Sequence, residues 1–166
     1  MVIKLEIKPT TTTSHILMTI INDKPDAYAC VMGNDIFGTV CFYKYLDGSI
    51  MIYEIKGLPV EENSGVFGFH IHEGETCSND TATPYEKTKN HFNPTNSLHP
   101  FHLGDLPPLF ARKGMAWGIV YMDKFKPQDI VGRTIVIHAH ADDFHTQPSG
   151  NSGTKIACGE IQRFQK

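Results

Sequence analysis

Six of the nine histidines, together with one aspartate, occupy positions from which they could bind metal ions. In chain order these residues are His70, His72, His91, His99, His102, Asp105 and His138. Imidazole is the commonest metal ligand among protein side chains, and it suits both copper and zinc. Seven such side chains are too many for one tetrahedral ion, but they suffice for two ions that share a ligand. The pattern therefore predicts a dinuclear copper and zinc site.

The spacing of these residues indicates how they divide between two ions. Residues i and i+2 of a strand point to the same side, so His70 and His72 can reach one ion. His138, at the end of another predicted strand, can add a third nitrogen. The next three ligand-type residues follow His91 at offsets of 8, 11 and 14. Three imidazoles and a carboxylate form a closed zinc site, whereas four imidazoles suit Cu(II), and a shared His91 completes both sets.

Single residues of the pattern also allow simpler interpretations. A His-x-His pair on a strand is more often exposed or hydrogen-bonded than metal-bound, so only the complete set favours metal. His15, His140 and His145 fit neither set, and we predict that they are not ligands. Asp142 and Asp143 would most often form a solvated turn, and only their offsets of 4 and 5 from His138 point to the site.

Length and composition predict an ordinary globular domain. The chain has 166 residues, of which 40% are hydrophobic and 20% are charged. Its net charge of −3 does not indicate a positively charged surface that would bind nucleic acid. No apolar run approaches the ~20 residues of a membrane span. The first residues lack the form of a signal peptide. We therefore expect a cytoplasmic protein, or an exported one whose signal has been removed.

Strand patterns dominate the chain, and helix periodicity is lacking. Eight runs are apolar or alternate as strands do: 2–8, 15–21, 27–32, 40–45, 49–55, 66–72, 116–122 and 134–138. Asp47 and Gly48 predict a tight turn between two of them. Residues 73–109 and 139–157 predict two long loops that need a function or an anchor. The expected fold is an all-β sandwich or barrel, with 27–166 as the domain and 1–26 as a strand-forming N-terminal extension.

The four cysteines form no CxxC pair, so a thiolate zinc site is not expected. One or two disulfides are compatible with the sequence, which does not fix their pairing. For Cys30 and Cys41, on neighbouring predicted strands, we expect buried free thiols, with a second disulfide as the alternative.

Several motifs in these loops and strands resemble those of the Cu/Zn superoxide dismutase family. They are Gly68-Phe69-His70-Ile71-His72-Glu73, His91-Phe92-Asn93-Pro94, His102-Leu103-Gly104-Asp105-Leu106, Gly132-Arg133-Thr134, His138 through Asp142-Asp143, and Ala157-Cys158-Gly159. They occur in the family's order from about Ala27 to the C-terminus, and two loop segments look more like the bacterial branch. The resemblance implies a Greek-key β-sandwich or flattened barrel, similar to the immunoglobulin architecture, that binds copper and zinc.

The resemblance also implies a role for each site residue. It assigns His70, His72, His91 and His138 to copper, and His91, His99, His102 and Asp105 to zinc. Asp142 matches the carboxylate that connects a copper histidine with a zinc histidine, here His70 and His99. Cys77 and Cys158 match the family disulfide, which would close a loop of roughly 80 residues and contribute roughly 4–5 kcal/mol.

The implied activity is the dismutation of superoxide to dioxygen and hydrogen peroxide by redox cycling of copper, with His91 supplying a proton. The family usually has an arginine that guides the anion three residues before the last disulfide cysteine, and Lys155 stands there in this chain. Lysine keeps the charge but loses the planar fork, so we expect His91 and Lys155 to act in catalysis with weaker steering.

Two further classes of function agree with the sequence. One is a metal-binding module that stores or delivers copper without turnover. The other is an interaction domain in which residues 1–26 add strands for oligomerisation, so a homodimer is among the expected assemblies. Superoxide is the expected substrate, and neither nucleic acid nor a membrane span is expected.

Overall fold

The computed structural model describes residues 23–59, 65–78 and 82–165, together with Ser14, Ile16, Met18 and Ile20. In these residues the strands are β1 (Ala27–Gly33), β2 (Phe37–Tyr45), β3 (Gly48–Lys56), β4 (Val66–Phe67), β5 (Phe69–His72), β6 (Leu109–Phe110), β7 (Met115–Met122), β8 (Thr134–His138), β9 (Lys155–Glu160) and β10 (Gln162–Arg163). From residue 23 onward the described residues also form one helix, α1 (Pro127–Ile130), and one 3-10 turn (Glu86–Thr88). No described helix is long and apolar enough to span a membrane.

The six strand predictions from residue 27 onward are confirmed, with one interruption. The predicted strand 66–72 is divided into β4 and β5 at Gly68. The Gly68 amide donates to the His140 carbonyl, and the His138 amide donates to the Gly68 carbonyl, so this residue is tied to the second long loop. A Cβ there would lie 2.8 Å from the Cβ of Ser152, so the contact favours glycine.

The predictions for the N-terminal segment are only partly testable. Ser14, Ile16, Met18 and Ile20 are helical, so the strand predicted over 15–21 is wrong for the described residues of that run. The strand predicted over 2–8 lies outside the described residues, as does His15. The domain boundary at residue 26 stays a prediction.

The turn between β2 and β3 differs from the predicted one by a single residue. Tyr45 pairs with Gly48, so the two-residue loop is Leu46-Asp47, with Leu46 at φ 50°. Gly48 lies instead in β3, where a Cβ would collide with the Met122 carbonyl oxygen of β7. The glycine is therefore explained by the close approach of a neighbouring strand rather than by turn conformation.

The antiparallel sheet curls on itself into a flattened barrel. Its strands are hydrogen-bonded in the order β5-β8-β9-β1-β2-β3-β7, so five steps separate β5 from β3. In a flat sheet these two strands would be about 24 Å apart, at about 4.8 Å per step. Yet the rings of Tyr53 on β3 and Phe69 on β5 are 5.9 Å apart, and both belong to one buried core. The predicted all-β fold, with a sheet curled into a flattened barrel, is therefore confirmed.

Two long loops leave the barrel on the side of the histidines, as predicted. The first runs over 73–108. The second runs over 139–154 and ends three residues earlier than predicted, because β9 begins at Lys155. A Cys77–Cys158 disulfide fastens the first loop to β9, and the Cys77 amide donates to Glu160 at 3.1 Å. This disulfide is the pairing that the family resemblance implied.

The other two cysteines are free, as expected, but they are not buried. Cys30 is exposed and Cys41 is half-buried. Both lie on the outward face of β1 and β2, because the inward positions of these strands are occupied by core residues such as Ala29 and Val40. The prediction was therefore right about the free thiols and wrong about their burial.

The outward face of β7 carries an unusual row of apolar side chains. Its alternating residues are exposed by 41–59% of their surface: Met115, Trp117, Ile119 and Tyr121. Tyr121 contacts Tyr45 edge to face, with ring centroids 6.0 Å apart. A contiguous exposed apolar row of this kind is typical of surfaces that meet another molecule.

Candidate metal centre

All seven predicted ligands converge in two buried clusters. The first cluster contains His70, His72, His91 and His138, and the second contains His91, His99, His102 and Asp105. Within each cluster the potential ligand atoms lie within 4.8 Å of one another. Each of these residues is at most 6% exposed. His91 belongs to both clusters, as the spacing predicted.

The barrel and the first loop position the clusters through backbone hydrogen bonds. His70 and His72 alternate with Ile71, whose side chain points into the core. The backbone of Ile71 is hydrogen-bonded to the first long loop. Its carbonyl accepts from the Phe92 amide at 2.8 Å, and its amide donates to the Gly104 carbonyl at 2.8 Å. These bonds place both His91 and Asp105 beside β5.

Two histidines of the first cluster are oriented by carbonyl oxygens. His72 Nδ1 donates to the Lys89 carbonyl at 2.9 Å, and His138 Nδ1 donates to the Gly153 carbonyl at 3.1 Å. In both rings Nε2 is left to bind, and these two atoms are 3.2 Å apart. The two unprotonated nitrogens therefore face the same point.

The remaining histidines hold nitrogens that lack hydrogen-bond partners despite full burial. These atoms are His70 Nδ1, His91 Nε2, His99 Nδ1 and His102 Nδ1. A buried polar atom without a partner costs about 1–3 kcal/mol, and proteins seldom leave several in one place. The lone pairs of these four nitrogens are directed into the two clusters. The clusters therefore fit two metal cations of the kind that imidazole nitrogen binds, such as copper and zinc.

Asp142 forms a second connection between the clusters. Its Oδ2 accepts from His70 Nε2 at 2.7 Å, and its Oδ1 accepts from His99 Nε2 at 2.9 Å. The Phe144 amide adds a third bond, of 2.7 Å, to Oδ1. Burial opposes ionisation of this carboxyl, but the bonds from His70, Phe144 and His99 outweigh it and hold its pKa well below the usual range. Asp142 therefore fixes which nitrogen each of the two rings offers to metal.

Burial keeps three histidines of the first cluster neutral: His70, His72 and His138. It lowers the pKa of His70 to about 4 and that of His138 to about 3, with the neighbouring imidazoles adding to the effect in each case. The pKa of His72 is also well below the usual value, chiefly through burial. The neutral ring is the form that binds metal, so the folded chain need not release protons there at neutral pH.

We predict that the metal-free protein loses stability as the pH falls from about 6.5 to about 4. The folded pKa values of His70 and His138 are about 4 and about 3, whereas unfolded histidine titrates near ~6.5. The unfolded chain therefore binds more protons in this window. Its free energy of unfolding falls by about 1.4 kcal/mol per pH unit for each extra proton. Urea unfolding of the EDTA-treated protein at pH 7 and pH 5 measures the difference, and equal free energies would contradict the prediction.

A cavity of about 490 Å³ opens onto the first cluster. His72, His91 and His138 contribute to its lining, and Lys155 of β9 lies in its wall. The Lys155 ammonium is half-buried and donates to the turn that precedes His91, at 2.7 Å to Thr88 Oγ1. Burial lowers the pKa of this lysine. A small anion entering the cavity would thus meet imidazole rings, the two lysines Lys89 and Lys155, and the acidic residue Glu73.

The histidines that were predicted not to be ligands lie outside the clusters wherever the structure describes them. His140 and His145 are exposed, and His145 Nδ1 is bonded to the Asp143 carbonyl at 2.7 Å. Sequence reasoning missed the carbonyls of Lys89 and Gly153 and the amide of Phe144. These groups are backbone atoms, so no residue type marks them in the sequence.

Comparisons with known proteins agree with this geometry. The family model "Copper/zinc superoxide dismutase (SODC)" matches residues 36–161. The Cu-Zn superoxide dismutase of Deinococcus radiodurans is 32% identical in an alignment 143 residues long, which covers 75% of this chain and 76% of that protein. An extracellular Cu-Zn superoxide dismutase of Brugia pahangi is 32% identical in an alignment 146 residues long, which covers 76% of this chain and 69% of that protein.

Two solved structures share the architecture. The Cu/Zn superoxide dismutase of Brucella abortus superposes with a TM-score of 0.70 at 25% identity, covering 82% of this chain and 99% of that one. A double mutant of an SOD-like protein from Bacillus subtilis gives 0.69 at 28% identity, covering 81% and 96%.

Proposed function

The chain belongs to the copper/zinc superoxide dismutase family, and we propose that its dismutation of superoxide to dioxygen and hydrogen peroxide is carried by the two clusters described above. In this proposal copper is held by His70, His72, His91 and His138, and zinc by His91, His99, His102 and Asp105. The observation that supports it most is the place of His91 in both sets, with Nε2 buried and without a partner.

The chemistry divides between copper and the protein. Copper, when bound, supplies the exchange of single electrons by which one superoxide becomes dioxygen and another is reduced. The chain supplies the geometry and one of the two protons that hydrogen peroxide needs, and solvent supplies the other. His91 Nδ1 lies 2.8 Å from Asp105 Oδ1 on the zinc side, so Nε2 on the cavity side is the atom that can take up a proton and give it to the reduced oxygen.

The surrounding residues prepare the site for a small anion. His72 and His138 are held by carbonyl oxygens and cannot rotate away without losing these bonds. Lys155 places a positive charge in the wall of the cavity, and a cationic cleft raises the rate at which an anion arrives. We propose that Lys155 attracts superoxide in this way.

The test of this function is a direct measurement of superoxide decay by stopped flow. The purified protein is loaded with copper and zinc, with zinc alone, or with neither. We expect fast decay with both metals and decay no faster than buffer with zinc alone. If the protein binds both metals without accelerating decay, the proposed activity is wrong, and the chain is a metal-binding module on a dismutase fold.

We also propose that the chain forms a homodimer. The apolar row of Met115, Trp117, Ile119 and Tyr121 supports this, because an assembly would remove it from water. Light scattering measures the molar mass, and a monomeric mass at micromolar concentration would refute the proposal. Deletion of residues 1–26 tests whether the N-terminal segment contributes.

A further inference from the structure

We propose that Lys155 is a positioning residue for copper, which fixes the orientation of His72 through the turn that precedes His91. This inference rests on the proposed copper site. It separates two properties of one ammonium group, its charge and its hydrogen bonds. The charge acts on an anion at a distance, whereas the hydrogen bonds act on the protein.

The ammonium of Lys155 is engaged by three acceptors on one short turn. It donates to Thr88 Oγ1 at 2.7 Å, to the Lys89 carbonyl at 2.8 Å and to the Tyr85 carbonyl at 3.4 Å. A lysine ammonium has three N–H donors and no acceptor. All three donors therefore have partners in the protein, and Lys155 is not free to donate to an incoming anion as a forked guanidinium would be.

The turn that Lys155 holds has an unfavourable backbone conformation at both ends. Tyr85 is at φ 52° and Lys89 at φ 61°, although neither is glycine. Such conformations are strained for residues with a Cβ and persist only where neighbouring contacts enforce them. Thr88, which is fully buried, links the Tyr85 end of the turn to Lys155, since its hydroxyl donates to the Tyr85 carbonyl at 2.8 Å and accepts from Lys155.

The turn is hydrogen-bonded directly to His72, one of the proposed copper ligands. The Lys89 carbonyl accepts from Lys155 Nζ at 2.8 Å and from His72 Nδ1 at 2.9 Å, so one oxygen receives both bonds. If the turn relaxes, this oxygen moves and the His72 ring loses the bond that aims Nε2 into the first cluster. Lys155 lies three residues before Cys158, so the disulfide anchors the first loop to the same strand and the lysine sets its local shape.

The experiment compares three variants with the parent protein loaded with copper and zinc. Lys155→Met removes both the charge and the hydrogen bonds. Thr88→Val removes one acceptor and keeps the charge. Lys155→Arg keeps the charge and offers donors of different geometry. Lys44→Met, an exposed lysine on β2, is the control for net charge. The readouts are the Cu(II) electron paramagnetic resonance spectrum, copper affinity by chelator competition, and the salt dependence of superoxide decay.

We expect Lys155→Met and Thr88→Val to change the Cu(II) spectrum in the same direction and to weaken copper binding by about 10-fold or more, as the loss of partners behind metal ligands commonly does. Only Lys155→Met should also reduce the salt dependence. Lys155→Arg should keep the salt dependence, and Lys44→Met should leave the spectrum unchanged.

A parental spectrum and parental copper affinity in both Lys155→Met and Thr88→Val would overturn the inference and leave Lys155 as an electrostatic guide only. Because the spectrum is recorded on bound copper, it reports on positioning whether or not the protein turns over. Lack of turnover with an intact spectrum would refute the proposed function alone. Circular dichroism confirms that each variant is folded.

Discussion

Replacing His91 with alanine should reduce the dismutation rate by at least about 100-fold, the upper end of the loss caused by removing a partner of a metal ligand. His91 is the residue common to both clusters, so its loss leaves each with three potential ligands instead of four. It also removes the Nε2 atom that is placed to carry a proton. Stopped-flow decay of superoxide and elemental analysis of bound copper and zinc measure the two consequences.

The matched control for this substitution is His145→Ala. His145 is an exposed histidine of the second loop and lies outside both clusters, so its replacement should change neither metal content nor rate. If His91→Ala retains two metal ions and at least half of the parental rate, then His91 is not the shared ligand, and the assignment of two metals to two clusters fails.

Removal of the Cys77–Cys158 disulfide should lower the free energy of unfolding by about 4 kcal/mol. The two cysteines are 81 residues apart, and a cross-link over such a separation removes much of the conformational freedom of the unfolded chain. The double variant Cys77→Ser/Cys158→Ser is compared with the parent by chemical denaturation of the metal-free protein, followed by circular dichroism.

The chain contains its own control, the pair of free thiols. A Cys30→Ser/Cys41→Ser variant removes the same number of sulfur atoms from half-buried or exposed positions and should stay within about 0.5 kcal/mol of the parent, as is usual for surface substitutions. A similar loss in both double variants would show that the sulfur atoms matter through packing rather than through the cross-link.

The metal ligands could be predicted from the sequence because they are side chains whose residue types bind metal. Their spacing along the chain also indicates which of them belong together. His70 and His72 share a side of β5 through strand periodicity alone, and His138 ends a strand that was predicted with its observed boundaries. The role of Asp142 followed only from family resemblance, because its bonds to His70 and His99 join segments that are 72 and 43 residues apart. Local patterns do not report such distances.

Other features could not be predicted because they depend on contacts with backbone atoms. Lys155 was interpreted from its charge, but its ammonium is bonded to carbonyls whose positions are set by the fold. The Leu46-Asp47 turn was misplaced by one residue because Gly48 is required by the approach of β7 rather than by the turn. Strands β6 and β10 were missed because two residues are too few to show an alternating pattern. Strand β9 was also missed, since its residues 155–157 were assigned to the second long loop.

The exposed row on β7 gives the protein a natural optical probe. Trp117 is the one tryptophan of the chain, and 59% of its surface is already in contact with water in the folded state. Its fluorescence emission should therefore be red-shifted before unfolding begins, and it will report poorly on loss of the core. It should instead report what covers β7, because any molecule that excludes water from this face would move the emission to shorter wavelength.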